Sequence, residues 1–209
     1  MTLLLNRSDV QSLLSMPKAI DVLEAAFAEL DAGSAEMPDR TVIVDPSAGG
    51  WIAYMPAYLK SGGALGVKAV TVYKGNPTQF GLPTTVGTIL VQDKQTGVVV
   101  AVMDGGLLTG IRTGAASGVA TRHLARKDSR VAGVIGTGVM ARGQVMALVE
   151  AAELEKVLIY STSDKSAQRS FADEFSEITG ADISLAESAE SLVRESDIVT
   201  LITSATEPI

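Results

Sequence analysis

The sequence predicts an α/β protein in two parts. An N-terminal α+β domain spans residues 1–127, and a partial doubly wound parallel domain spans residues 128–209. Three observations predict this. Val131–Arg142 reads VAGVIGTGVMAR: a β-compatible run, a tight glycine turn and the start of a helical pattern. From Val131 onward strand and helix patterns alternate, which builds right-handed βαβ crossovers and a parallel sheet. Before that, two helical patterns give way to strands joined by short glycine-bearing turns, the pattern of a mostly antiparallel sheet.

The elements follow in order. Residues 7–14 form a short helical pattern. In the next helix Pro17 suits the first turn, Ile20, Leu23, Phe27 and Leu30 share one face, and Gly33 is a stop signal. Thr41–Val44 is short and β-branched. Trp51–Leu59 and Ala64–Tyr73 flank a turn at Ser61-Gly62-Gly63. Thr85–Gln92 and Val98–Met103 flank the hairpin loop Asp93–Gly97. Leu107–Arg126 reads as one helix dense in small residues, including Gly110, Gly114 and Gly118. They permit close packing at a cost of about 1 kcal/mol per interior glycine. Strands at Val131–Ile135, Lys156–Tyr160, Asp182–Leu185 and Asp197–Thr203 alternate with helices at Val139–Ala152, Lys165–Ile178 and Glu187–Glu195. The expected strand order is 3-2-1-4. Doubly wound domains usually run to about six strands, so the sequence reads as one shortened at its C-terminus.

Gly136-Thr137-Gly138-Val139-Met140-Ala141 has the spacing G-x-G-x-x-A. Gly136 permits the sharp turn, Gly138 lets the backbone approach a pyrophosphate, and Ala141 lets the helix pack close to the strand. The helix N–H groups and positive dipole end then face the phosphates. The spacing is that of a Rossmann signature, with a plain tight βα turn as the alternative, and it predicts NAD or NADP as cofactor. Ser161 and Thr162 end the second strand, where an acid would accept from the ribose 2′-OH of NAD. With no carboxylate among them, NADPH is expected to bind at least comparably to NADH. Thr203, at the end of the fourth strand, completes the expected cofactor contacts.

Composition narrows the partners. Seventeen Lys and Arg against 24 Asp and Glu leave a net charge of −7, with no basic run, so nucleic acid and anionic membranes are poor candidates. Cysteine is absent and His123 is the single histidine, which excludes a thiolate site and a multi-histidine zinc site; no metal is expected. No apolar run reaches membrane-spanning length, and a cytoplasmic location is the default.

Two cations stand out. Lys68 lies in a strand apolar on both faces and therefore expected to be buried; it either snorkels from a strand end or faces a substrate. Arg112 lies near the start of a helix with very small neighbours; it either forms a structural ion pair or reaches into a cleft to bind a carboxylate through two parallel N–H···O bonds. Arg40, read alone, is unremarkable. His123 reads as a helix-surface residue, and Trp51 and Tyr54 as core or interface.

The blocks Gly66-Val67-Lys68, Gly81-Leu82-Pro83-Thr84, Met103-Asp104-Gly105 and Leu108–Ser117, followed by Val134–Gly138, resemble the ornithine cyclodeaminase/mu-crystallin family. The resemblance covers nearly the whole chain. It implies NAD(P)-dependent chemistry at the Cα–N bond of an amino or imino acid, with a small amino, imino or keto acid as substrate and with cyclodeaminase, alanine dehydrogenase and ketimine reductase members. It also implies a homodimer built through the N-terminal sheet. By position, Arg40, Lys68 and Arg112 match the substrate-carboxylate cluster, Lys68 and Arg112 also being expected in catalysis, and Thr84 matches a residue near the nicotinamide. A non-catalytic dinucleotide-binding protein and an inactive shortened relative are the alternatives.

Overall fold

The computed structural model describes residues 1–205 and 207–209. In chain order the elements are β1 (Leu3–Leu5), α1 (Arg7–Leu13), α2 (Met16–Asp31), β2 (Ala35–Glu36), β3 (Thr41–Asp45), β4 (Gly50–Leu59), β5 (Ala64–Tyr73), α3 (Asn76–Phe80), β6 (Thr85–Gln92), β7 (Val99–Asp104), α4 (Gly105–Leu124), β8 (Val131–Ile135), α5 (Val139–Ala151), β9 (Lys156–Tyr160), α6 (Lys165–Thr179), β10 (Ile183–Leu185), α7 (Ala189–Glu195) and β11 (Ile198–Leu201). They divide into two compact units. One is Met1–Ser15 with Glu24–Thr109; the other is Met16–Leu23 with Gly110–Ile209.

The first unit is built on a seven-stranded sheet ordered β1-β7-β6-β5-β4-β2, with β3 also on β4. The pairings β3–β4, β4–β5, β5–β6 and β6–β7 are all antiparallel. The Asp93–Gly97 loop closes as its composition predicts: the Asp93 carboxylate accepts the N–H groups of Gln95 and Thr96, and Gly97 takes φ +73°. Three elements depart from the sequence reading. β1 adds a parallel strand beside β7, β2 is a two-residue rung on β4, and α3 is a single turn opened by Pro77 and closed by Gly81. The apolar faces of β5 are half-buried rather than buried, with Val70 alone fully so. Along α2, Ile20 is wholly buried, whereas Phe27 and Leu30 are exposed.

The second unit carries a four-stranded, all-parallel sheet in the order β10-β9-β8-β11, the 3-2-1-4 order the alternation predicts. Its core joins Val134, Val157 and Ile159 of the sheet to Val145 and Leu148 of α5 and Phe171 and Phe175 of α6. Helix α6 follows from its caps: Asp164 accepts from the N–H groups of Ser166 and Ala167, and Gly180 ends it at φ +72°. Helix α7 starts at Ala189, later than the expected Glu187, because Ser188 and Ser191 form a reciprocal cap. Helix α4 ends at Leu124, and Arg126 turns away to pair with Asp197. Helices α4 and α5 meet backbone to backbone. A Cβ on Gly143 would overlap the Gly110 carbonyl, and one on Gly114 would overlap the Gly143 carbonyl.

Candidate functional site

In the second unit the glycine loop lies at the carboxyl ends of β8 and β9. Gly136 takes φ +118°, which side chains rarely adopt, and its Cβ position overlaps the Ile202 carbonyl. Its N–H donates to the Tyr160 carbonyl at 2.8 Å. Only glycine meets both demands. Gly138 is different. It is the N-cap of α5 with φ −73° and ψ −178°, an ordinary conformation, and a Cβ there meets nothing within 4 Å. No side chain caps the helix, so its first-turn N–H groups have no side-chain acceptor. Ala141 is fully buried beneath them. An open glycine cradle at an uncapped helix start fits an anionic pyrophosphate.

Beside the loop is a hydroxyl cluster. Thr137 Oγ1 lies 3.1 Å from Ser161 Oγ and 3.4 Å from Ser163 Oγ, and these two serines are 2.6 Å apart. Gln168, 1% exposed, holds the segment: Nε2 donates to the carbonyls of Ser161 and Ser163 at 3.0 and 2.7 Å, and Oε1 accepts the Ser161 N–H at 3.3 Å. Ser163 and Gln168 were not singled out from the sequence. The signal was present, because Gln168 shares the apolar stripe of Phe171, Ala172 and Phe175, where a polar residue needs a partner. Thr162 and Thr203 are exposed in the segments following β9 and β11. The nearby Asp164 carboxylate is committed to α6; its bond from the Ser166 hydroxyl, followed by the Ala167 N–H, holds its pKa below the usual carboxylate range. The cations near the loop are also engaged. Arg142 pairs with Glu174 over the Phe175 ring, and Lys165 Nζ stands 5.6 Å from the Tyr160 ring centroid.

Arg112 also belongs to this unit, on the first part of α4. Its side chain is exposed, yet the protein around it desolvates the guanidinium enough to lower its pKa from the ordinary value, with no loss of charge near neutrality. In the first unit, Lys68 is half-buried on β5, opposite Met55 of β4. Arg40 lies outside the strands, immediately before β3, whose first residue Thr41 pairs with Tyr54 of β4. Thr84 lies half-buried just before β6, five residues before Ile89, the partner of Lys68.

A cleft of about 220 Å³ at the amino end of β8 is lined by Arg122, Arg126, Lys127 and Arg130. Its arginines are already matched: Arg122 by Asp21 at 2.7 Å, Arg126 by Asp197 at 2.7 Å and Arg130 by Glu153 at 3.9 Å. Asp197 also accepts the N–H groups of Arg130 and Val131, which fastens the approach to β8. This cleft is structural bracing.

The comparison with known proteins settles the lineage. Residues 1–209 match the family model for the ornithine cyclodeaminase/mu-crystallin family. The chain belongs to that family. It is 38% identical to the alanine dehydrogenase of Archaeoglobus fulgidus over 168 residues, 80% of this chain and 51% of the dehydrogenase. The structure of Thermococcus litoralis Δ1-pyrroline-2-carboxylate reductase in complex with NADH and L-proline superposes with a TM-score of 0.93 at 46% identity, covering 99% of this chain and 64% of the reductase. An archaeal alanine dehydrogenase dimer with bound NAD gives a TM-score of 0.87 at 35% identity, over 97% of this chain and 60% of that one. This family member therefore spans about half to two-thirds of the length of the relatives it matches. Those relatives are enzymes, a reductase and dehydrogenases, and the two solved structures hold NADH and NAD. Among the described residues, no helix of this family member is long and apolar enough to cross a membrane.

Proposed function

We propose that this protein is an NAD(P)-dependent oxidoreductase of the amino-acid and cyclic-imine class, acting at the Cα–N bond of a small amino or imino acid, with the matching keto acid as a further small-molecule substrate. The observation that carries the reading is the uncapped start of α5 over the open Gly138 cradle. A bound nicotinamide supplies hydride to Cα, or accepts it, depending on direction. Gly136–Ala141 hold the pyrophosphate, through the free N–H groups of Val139 and Met140. Ser161, Thr162 and Ser163 face the adenosine ribose, with Thr203 and Thr84 as further cofactor contacts. The hydroxyl cluster carries no free carboxylate to repel a 2′-phosphate, which supports NADPH binding at least comparable to that of NADH.

Substrate binding falls to Arg40, Lys68 and Arg112. The planar guanidinium of Arg112 suits a bidentate grip on a carboxylate, and Lys68 adds a point charge. Residues 1–127 serve the substrate and the dimer, and residues 128–209 serve the dinucleotide. A homodimer through the N-terminal sheet is supported by exposed apolar residues there, among them Val42, Ile43 and Val44 of β3 and Tyr54 of β4. The sequence-level default of a cytoplasmic location goes with this reading.

The test is a titration of the protein with NADH and NADPH by nucleotide fluorescence, followed by thermal shift with L-proline and pyruvate on the loaded protein and on Arg112→Lys. A bound acid stabilises by about 2.7 kcal/mol at a hundredfold excess over its dissociation constant. Arg112→Lys should lose most of that gain while retaining the dinucleotide. Failure of both nucleotides to bind refutes the reading, and equal acid-induced shifts in the two proteins refute the role of Arg112.

A further inference from the structure

Between the Gly138 cradle and Arg112 runs a short path of rigid contacts. One turn of α5 beyond Val139 comes Gly143, whose backbone touches that of α4 at Gly110 and Gly114, the residues on either side of Arg112. Next in α5 is Gln144, 2% exposed, whose Nε2 donates to the Thr113 carbonyl at 3.4 Å and whose Oε1 has no hydrogen-bond partner. For packing alone an apolar side chain would serve better there, since the buried oxygen stays unsatisfied. What the amide adds is a bond to the residue adjoining Arg112.

We propose that Gly143 and Gln144 are positioning residues that couple dinucleotide binding to the orientation of Arg112. The inference rests on the function proposed above. Side-chain interfaces absorb small displacements by changing rotamers, whereas backbone in direct contact with backbone has no such slack. An anion that fixes the first turn of α5 fixes Gly143 about 6 Å along the axis. Gly143 then fixes Gly110 and Gly114, and Gln144 fixes Thr113. Arg112 is thereby set for its carboxylate only once the dinucleotide is in place, which makes the acid the second ligand to bind.

The experiment is amide hydrogen exchange across residues 110–116, with and without NADH, in the wild-type chain, Gly143→Ala, Gln144→Met and the control Gly118→Ala. The control also crowds α4, but against the flexible Ile20 Cδ1 at 2.7 Å. NADH should slow exchange at 110–116 by about fivefold or more in the wild type and the control, the lower end of ordinary coupling between sites. In Gly143→Ala and Gln144→Met, NADH affinity should stay within about threefold while that protection disappears. A merely structural role would lower stability in all three variants alike and leave the NADH-dependent difference intact. If Gly143→Ala does not fold, Gln144→Met decides alone. Protection that persists in the foldable variants, or none in an NADH-bound wild type, overturns the coupling and leaves the proposed function standing. If NADH does not bind the wild type, both fall.

Discussion

Replacing Gly138 by aspartate should strengthen the fold and abolish dinucleotide binding at the proposed site. Gly138 already has the extended conformation of an N-cap, and its Cβ position is open, so the side chain enters without strain. Aspartate is a preferred N-cap, better than glycine by a few tenths of a kcal/mol, and its charge on the helix dipole adds about 0.3–1 kcal/mol. A gain near 1 kcal/mol raises the melting temperature of a chain this long by about 2–4 °C. The same carboxylate takes the N–H groups that a pyrophosphate needs and sets a negative charge against it. Two like charges about 4 Å apart, at an effective dielectric of 20, repel by about 4 kcal/mol. After salt screening, NADH affinity should fall at least about a hundredfold. Differential scanning calorimetry and NADH fluorescence titration on the same preparation give both numbers. A lowered melting temperature, or NADH affinity within tenfold of wild type, would refute the argument that this glycine serves a ligand rather than the fold.

Gly136→Ala should do the reverse of a clean binding defect and cost roughly 2–5 kcal/mol of stability, from its positive φ and the clash with the Ile202 carbonyl, measured by urea unfolding. Gln168→Leu should cost about 1–3 kcal/mol, because it strands the carbonyls of Ser161 and Ser163 in a part-buried site, and should weaken NADPH at least as much as NADH, checked by denaturation and titration. Asp197 has its pKa lowered, chiefly by the N–H groups of Arg130 and Val131 and further by Arg126. Its stabilisation is therefore complete above the unfolded carboxylate value, about 3.9, and is lost as the pH falls through the lower folded value. Asp197→Asn should flatten the acid limb of the stability profile between about pH 5 and 2, followed by circular dichroism at stepped pH.

What the sequence revealed was whatever is encoded locally. The Val131–Ala141 turn, the strand–helix alternation and the Asp93–Gly97 hairpin each declare themselves within a dozen residues. β1 does not. Its three leucines show no alternation, and they become a strand only because Ala101–Met103 lies alongside, far away in sequence. The density of small residues in α4 announced a close approach, but nothing local named Gly143 as the partner. The expected burial of β5 failed for the opposite reason: apolar residues on both faces establish what a strand could bury, not what covers it. Within the candidate cofactor site the strained turn at Gly136 was legible because its chemistry is steric. Ser163 and Gln168 were harder, since a hydroxyl cluster is assembled by a loop whose path the sequence does not spell out.

The discontinuity of the second unit carries a consequence for how the chain matures. Its own segment begins at Gly110, yet it includes Met16–Leu23, where Ile20 is fully buried against Gly118 and Asp21 holds Arg122. Those eight residues leave the ribosome long before their neighbours do. They must wait through the synthesis of Glu24–Thr109, and closing that loop costs about 4 kcal/mol of chain entropy. The nucleotide-type unit is thus not a cassette. Excised as residues 110–209 it would leave an Ile20-sized hole, and a gene fusion that replaced the first half of α2 would damage the unit built mainly from Gly110–Ile209.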